Sequence, residues 1–154
     1  MKNILSKVYK KIQIIHNIYL KNKFLIKKNS YSMEGEDLEI LRLSKDIHEG
    51  FYVDAGCYHP LHLNNTYLLY KKKWRGINID LSEFSIDLFN FMRPDDVNIN
   101  SAISETDGEI IYFHQKKISQ LNTIKKNEAN KRMQGLIKEK KIRSQRLTTV
   151  LDRS

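Results

Sequence analysis

At 154 residues the chain has the length of one domain, and its apolar fraction of 40% is enough for a core but not for two. A single cysteine, Cys57, excludes an internal disulfide and leaves no paired thiol spacing for a metal, so the expected location is cytoplasmic. The formal charge of +9 leaves two readings open: a lysine-rich solvated surface, or contact with an anionic partner such as nucleic acid, a membrane surface or a charged substrate.

Residues 1–28 contain eight lysines and no acid. Ile4, Leu5, Val8, Ile12, Ile15, Tyr19 and Leu20 recur at three- and four-residue spacing, which predicts an amphipathic helix. Lys7, Lys10 and Lys11 interrupt every apolar run, so the segment reads neither as a membrane span nor as a signal peptide. The helix either packs on the domain or a partner, or lies peripherally on an anionic membrane with its apolar face down. The chain thus divides into a basic helical extension over 1–30 and a folded domain over 31–154.

At Tyr31 the charge changes sign. Ser32 suits an N-cap, and Glu36 and Asp37 suit the first turn of a helix whose buried stripe is Leu38, Leu41 and Ile47 and which ends near Gly50. Phe51 to Ala55 then reads as a buried parallel strand closed by Gly56, with Asp54 near its carboxyl end. Pro60 stiffens the loop, and Asn64, Asn65 and Thr66 offer caps for a helix over 67–73. Gly76 to Asp80 is a second strand, also closed by an acid. Asp80 follows Gly56 by about two dozen residues, the spacing at which a carboxylate accepts hydrogen bonds from ribose hydroxyls in doubly wound folds. A helix over 82–92 carries Phe84, Leu88, Phe89 and Phe91 and ends before Pro94, and Val97 to Ile103 alternates as a third strand.

Two short strands ending in Asp predict a nucleoside-containing ligand across the carboxyl ends of a parallel sheet. The Gly-x-Gly-x-x-Gly turn is absent, because Tyr58 stands at its second glycine position. A pyrophosphate needs that close backbone approach and a sulfonium-linked nucleoside does not, which favours S-adenosylmethionine over a dinucleotide. Farther on, Gly108 to Phe113 reads as a strand, and Lys125 to Lys141 as a lysine-rich helix with Ala129, Met133, Leu136 and Ile137 as a thin apolar stripe. That helix is either solvated or a phosphate contact, although no specific nucleic-acid motif accompanies it.

Several motifs occur in order: Ser32-Met33-Glu34-Gly35-Glu36-Asp37, Gly50 to Gly56, His59-Pro60, Asn64-Asn65-Thr66, Trp74 to Asp80, Arg93-Pro94, Asn98 to Asn100 and Ala102-Ile103-Ser104. Over residues 31–154 the chain resembles the FkbM family of S-adenosylmethionine-dependent methyltransferases. The resemblance implies a Rossmann-like class I methyltransferase fold and O-methylation of a hydroxyl on a sugar or natural product, with a small-molecule or glycan acceptor. Residue by residue, it implies that Asp54 and Gly56 form the first cofactor loop and that Asp80 holds the ribose, where Glu is more usual. Ser101 and Ala102 fall on the adenine-proximal segment. Glu34 and Asp37 match the acidic entry motif, in which Met33 replaces the usual Gln. Asn65 and Thr66 match the family's Asn-Thr, and Asn64 replaces Ser. His59 is a candidate base by location, against a loop-packing imidazole.

The family's Asp-x-Glu-Gly motif, carried on a fourth core strand, does not occur here. The expectation is therefore a partial fold holding the N-terminal half of the sheet, truncated at the C-terminus, with activity an open question. The alternatives are a non-catalytic remnant and a basic binding module on an anionic surface.

Overall fold

The fold is a computed structural model describing residues 2–26 and 28–152. It begins with helix α1 (Lys2–Ile15), which runs into a π-helical turn at His16–Lys21 closed by the Asn22 amide donating to the Asn17 carbonyl. The predicted helix is present, but of the predicted stripe Tyr19 alone, among the described residues, packs against the core. Ile14 and Ile18 enter the core against Leu61, Tyr67 and Leu88, whereas Ile4, Leu5, Val8, Ile12, Ile15 and Leu20 stay exposed. Ile14 and Ile18, four residues apart, share the helical face that meets the domain, and the rest of the predicted stripe lies on another face.

Helix α2 (Glu36–Leu43) starts from Gly35, whose left-handed backbone (φ 92°) makes it the N-cap in place of Ser32. Ser32 contributes from one turn earlier: its hydroxyl accepts from the Gly35 amide at 3.0 Å. Asp37 is fully buried and accepts from the Ser30 and Ser32 hydroxyls and the Tyr31 amide, at 2.6, 2.8 and 2.6 Å. This anchor orients the helix, so Ile40 and Leu41 pack on Tyr52, Leu69 and Trp74 while Leu38 is exposed. Ile47 lies beyond the helix end and is also exposed. The expected stripe of Leu38, Leu41 and Ile47 is therefore corrected to Asp37, Ile40 and Leu41.

Strands β1 (Phe51–Ala55), β2 (Arg75–Asp80) and β3 (Val97–Asn100) form a parallel sheet in that order. Helices α3 (Tyr67–Lys71) and α4 (Glu83–Met92) make the crossovers. The architecture is thus α/β, compatible with part of a Rossmann-like sheet. Ser82 caps α4 by accepting from the Ser85 amide at 3.1 Å, and α4 buries Ile86, Leu88 and Phe89. Register places Val53, Ile77 and Val97 on one sheet face and Asp54, Asn78 and Asn98 on the other. The second face is polar inside: Asp96 accepts from the Tyr52 hydroxyl, the Gly76 amide and the Asn78 amide group. Gly76 is required there, because a Cβ would lie 2.2 Å from the Tyr52 carbonyl oxygen.

The third strand does not run unbroken to Ile103. It stops at Asn100, and β4 (Ala102–Ile103) enters a second sheet of order β4-β6-β5, with β5 (Gly108–His114) antiparallel to β6 (Lys138–Gln145). Ser101 is the pivot: its amide donates to Asp80 O at 3.2 Å and its hydroxyl to Arg143 O at 2.9 Å, one bond toward each sheet. The expected helix over 125–141 is also corrected. Helix α5 spans only Lys126–Arg132; Gly135 takes a left-handed φ of 86°, and residues 138–144 pair with β5. Tertiary pairing of Ile110 with Ile142 overrides the helical propensity of the lysine run. Helix α6 (Leu147–Leu151) then lays Val150 over Ile77 and Ile79.

Candidate functional site

The carboxyl ends of β1 and β2 and the Ser101 pivot converge on a cleft of about 240 Å³ lined by Ala55, Gly56, Ile79, Asp80, Leu81, Ser101, Ile103 and Ile124. A second cleft of about 270 Å³ shares Gly56, Asp80 and Leu81 and adds Tyr58, Leu63, Ser119, Gln120 and Asn122. Asp80 therefore borders both. Its two oxygens accept from the Tyr58 amide at 2.9 Å and the Ser82 amide at 2.7 Å. Each oxygen keeps a further acceptor position, as a ligand hydroxyl requires. Burial raises the Asp80 carboxyl above the ordinary carboxylate range, against the lowering effect of those two amides.

Gly56 adopts φ 80°, a conformation costly for other residues, and beyond its two chain neighbours no heavy atom of the described residues lies within 4 Å of where a Cβ would stand. The glycine is required by the turn, and the space before it is open. The loop's amides face inward: Gly56 and Cys57 both donate to Ile79 O, at 2.8 and 3.1 Å, and Tyr58 donates to Asp80. A pyrophosphate cradle built from these amides does not exist. At the far wall, Asn122 Oδ1 is buried and meets no hydrogen-bond donor among the described residues.

The other sequence-predicted residues are held elsewhere. Asp54 lines neither cleft. Its carboxylate accepts from Thr66 Oγ1 at 2.8 Å and Asn64 Nδ2 at 3.2 Å. Burial raises its pKa, opposed by Thr66, the Arg93 charge and Asn64. Arg93 is fully buried; it donates to Thr66 Oγ1 at 2.8 Å, to Asn64 Oδ1 at 2.6 Å and to the Pro60 carbonyl. Its guanidinium also stacks near Phe89, 4.9 Å from the ring centre. Asp54, Asn64, Thr66 and Arg93 thus form a buried polar knot that carries the loop connecting Gly56 to α3. Asn65, beside them, is exposed, and Glu34 is exposed at the start of the α2 turn, lining neither cleft. For Asp37, burial pushes the carboxyl up, but the Ser30, Tyr31 and Ser32 bonds outweigh it and hold the pKa low. Ala102 is buried against Tyr112 and Ile142, next to the cleft residue Ser101.

His59 packs the loop. Nδ1 accepts from the Leu61 amide at 3.1 Å, so in the neutral ring Nε2 carries the proton and donates to Asn17 Oδ1 at 2.9 Å. In that tautomer the 3.0 Å approach of Asn22 Nδ2 to Nε2 is a packing contact between donors. Burial, aided by the nearby His62, Lys21, Arg93 and Lys28 charges, lowers the ring's pKa to about 3. With both nitrogens engaged, the imidazole fastens the π turn to the loop and has no free position for a substrate proton.

Sequence reasoning did not anticipate Leu81, Ile124, Ser119, Gln120 or Asn122 as cleft walls. Residues 115–125 have no periodicity to read. They are brought over the strand ends by an isolated antiparallel bridge between Phe113 and Thr123. No protein-family model, no curated protein and no solved structure matches the chain.

Proposed function

We propose that this chain binds S-adenosylmethionine across the carboxyl ends of β1 and β2, as a methyltransferase of FkbM type with a partial Rossmann-like class I fold. The observation that carries the reading is the position of Asp80, a carboxylate bordering both clefts with acceptor capacity left for vicinal hydroxyls. The inward-facing loop amides favour a nucleoside without a pyrophosphate. In this reading Asp80 holds the ribose, Gly56 leaves room for the methionine portion, and Leu81, Ile103, Ile124 and Ser101 surround the base. Asn122 Oδ1 accepts from a ligand amine. Asp54 and Thr66 act beneath the loop by fixing its shape, and Ala102 by fixing Ser101.

When bound, the cofactor supplies an electrophilic methyl group on a sulfonium. What the protein must add is orientation and removal of the acceptor's hydroxyl proton. Among the described residues, the ionisable side chains lining the two clefts are Asp80 and Tyr58, and burial raises the Tyr58 pKa. This favours a second reading in which the chain holds the cofactor without completing transfer. The acceptor in the first reading is a small-molecule or glycan hydroxyl.

Calorimetric titration of the whole chain with S-adenosylmethionine tests the binding claim, and Asp80→Ala should weaken it by about 1–3 kcal/mol. Equal affinity of the variant, or equal binding of a nicotinamide dinucleotide, overturns the assignment. Methyl transfer to a panel of sugar hydroxyls then separates the two readings.

A further inference from the structure

The amphipathic helix α1 is mounted the wrong way round for a helix that belongs to a core. Its polar flank faces the domain: Lys10 Nζ lies 2.6 Å from Asp87, and Gln13 Oε1 accepts from Lys117 Nζ at 2.9 Å. Its apolar flank faces outward, with Ile4 66%, Leu5 67% and Ile12 57% exposed, and Val8 and Ile15 about half exposed. At about 100° per residue these five positions fall within an arc of about 100°. Lys7 and Lys11, both exposed, run along one border of that arc.

We propose that this face docks on an anionic phospholipid surface, with α1 lying in the plane of the interface. Charge decides the occupant. Residues 1–28 hold eight lysines and no acid; Lys10 is paired with Asp87, but Lys7 and Lys11 border the outward arc, so a negatively charged surface complements the exposed face. A second copy paired through this face would add its own lysines, with no acid in residues 1–28 to offset them. Nucleic acid would satisfy the lysines but gives the aliphatic arc nothing to bury against. The helix is too short and too often interrupted to cross a bilayer, and no helix among the described residues is long and apolar enough to do so. An in-plane seat satisfies both flanks at once, because the domain already holds the polar side through Asp87 and Lys117.

The test is flotation of the purified full chain with unilamellar vesicles of phosphatidylcholine, with and without phosphatidylglycerol. The expected result is partitioning roughly tenfold or more stronger onto the anionic vesicles, weakened by salt. Val8→Glu with Ile12→Glu should abolish it. Lys7→Glu with Lys11→Glu should remove the preference for anionic lipid. Both pairs are exposed, so the melting temperature should hold, and a melt alongside confirms that a lost signal is not unfolding. Three results overturn the proposal: equal binding to neutral vesicles, binding unchanged by the Val8/Ile12 pair, or no vesicle binding with concentration-dependent dimerisation in its place.

Discussion

His59 shows how one side chain couples two parts of the molecule. Its ring bridges the Leu61 amide and Asn17 of the π turn, and burial holds its pKa near 3 against 6.5 in an unfolded chain. Between those values the unfolded chain binds a proton that the folded chain refuses. Stability therefore rises with pH through that window and is fully present above about 6.5. The slope from this residue is at most about 1.4 kcal/mol per pH unit. His59→Gln should flatten the difference in urea-denaturation stability between about pH 4 and about pH 7 relative to the parent. An unchanged slope would mean the imidazole is not held neutral. Asp54 and Thr66 show the same lesson in another form. Residue type and spacing marked them as important, and their importance is to Arg93 and the loop.

The elements with a local cause were legible: β1, β2 and α4 occur where short apolar runs, Gly56 and Pro94 place them. Those with a distant cause were not. Residues 138–141 look helical by composition and belong to a strand because β5 is there to pair with. The strand break at Ser101 depends on Arg143, 42 positions away in the chain. The Asp80–Gly56–Ser101 grouping at the sheet edge could be read in advance because successive parallel strands end side by side. The roof over it could not, because it arrives through one bridge. The strand assignment of β6 is testable by alternation. Ile142→Ala, buried opposite Ile110, should cost about 2–4 kcal/mol. Lys141→Ala, exposed, should stay within about 0.5 kcal/mol. Equal costs at both positions would speak for a helix or a loose segment.

At the scale of the whole molecule, two small sheets meet at Ser101. The first buries β2 along Gly76–Ile79, with Ile77 and Ile79 sealed by Val150, while in the second β6 leaves Lys138–Lys141 exposed and Tyr112 and Ile142 pack on Ala102. Local stability follows buried apolar packing, so the amides of β2 should exchange with solvent more slowly than those of β5 and β6. Hydrogen exchange read by NMR would show two protection classes, and a single class would mean that the sheets open as one unit. On the first sheet Phe51, Val53 and Val97 remain exposed on the face that α6 covers only at Ile77 and Ile79, and β1 pairs with β2 alone among the described strands.

Two side chains set the orientation of α1. Ile14 and Ile18 lie four positions apart, on one helical face, and both enter the core. With Ile14 seated, Ile4, Val8 and Ile12 fall roughly 80–160° farther round the helix, on the side turned away from the domain. A pair of anchors at one end thus decides which way the whole of α1 displays its greasy side.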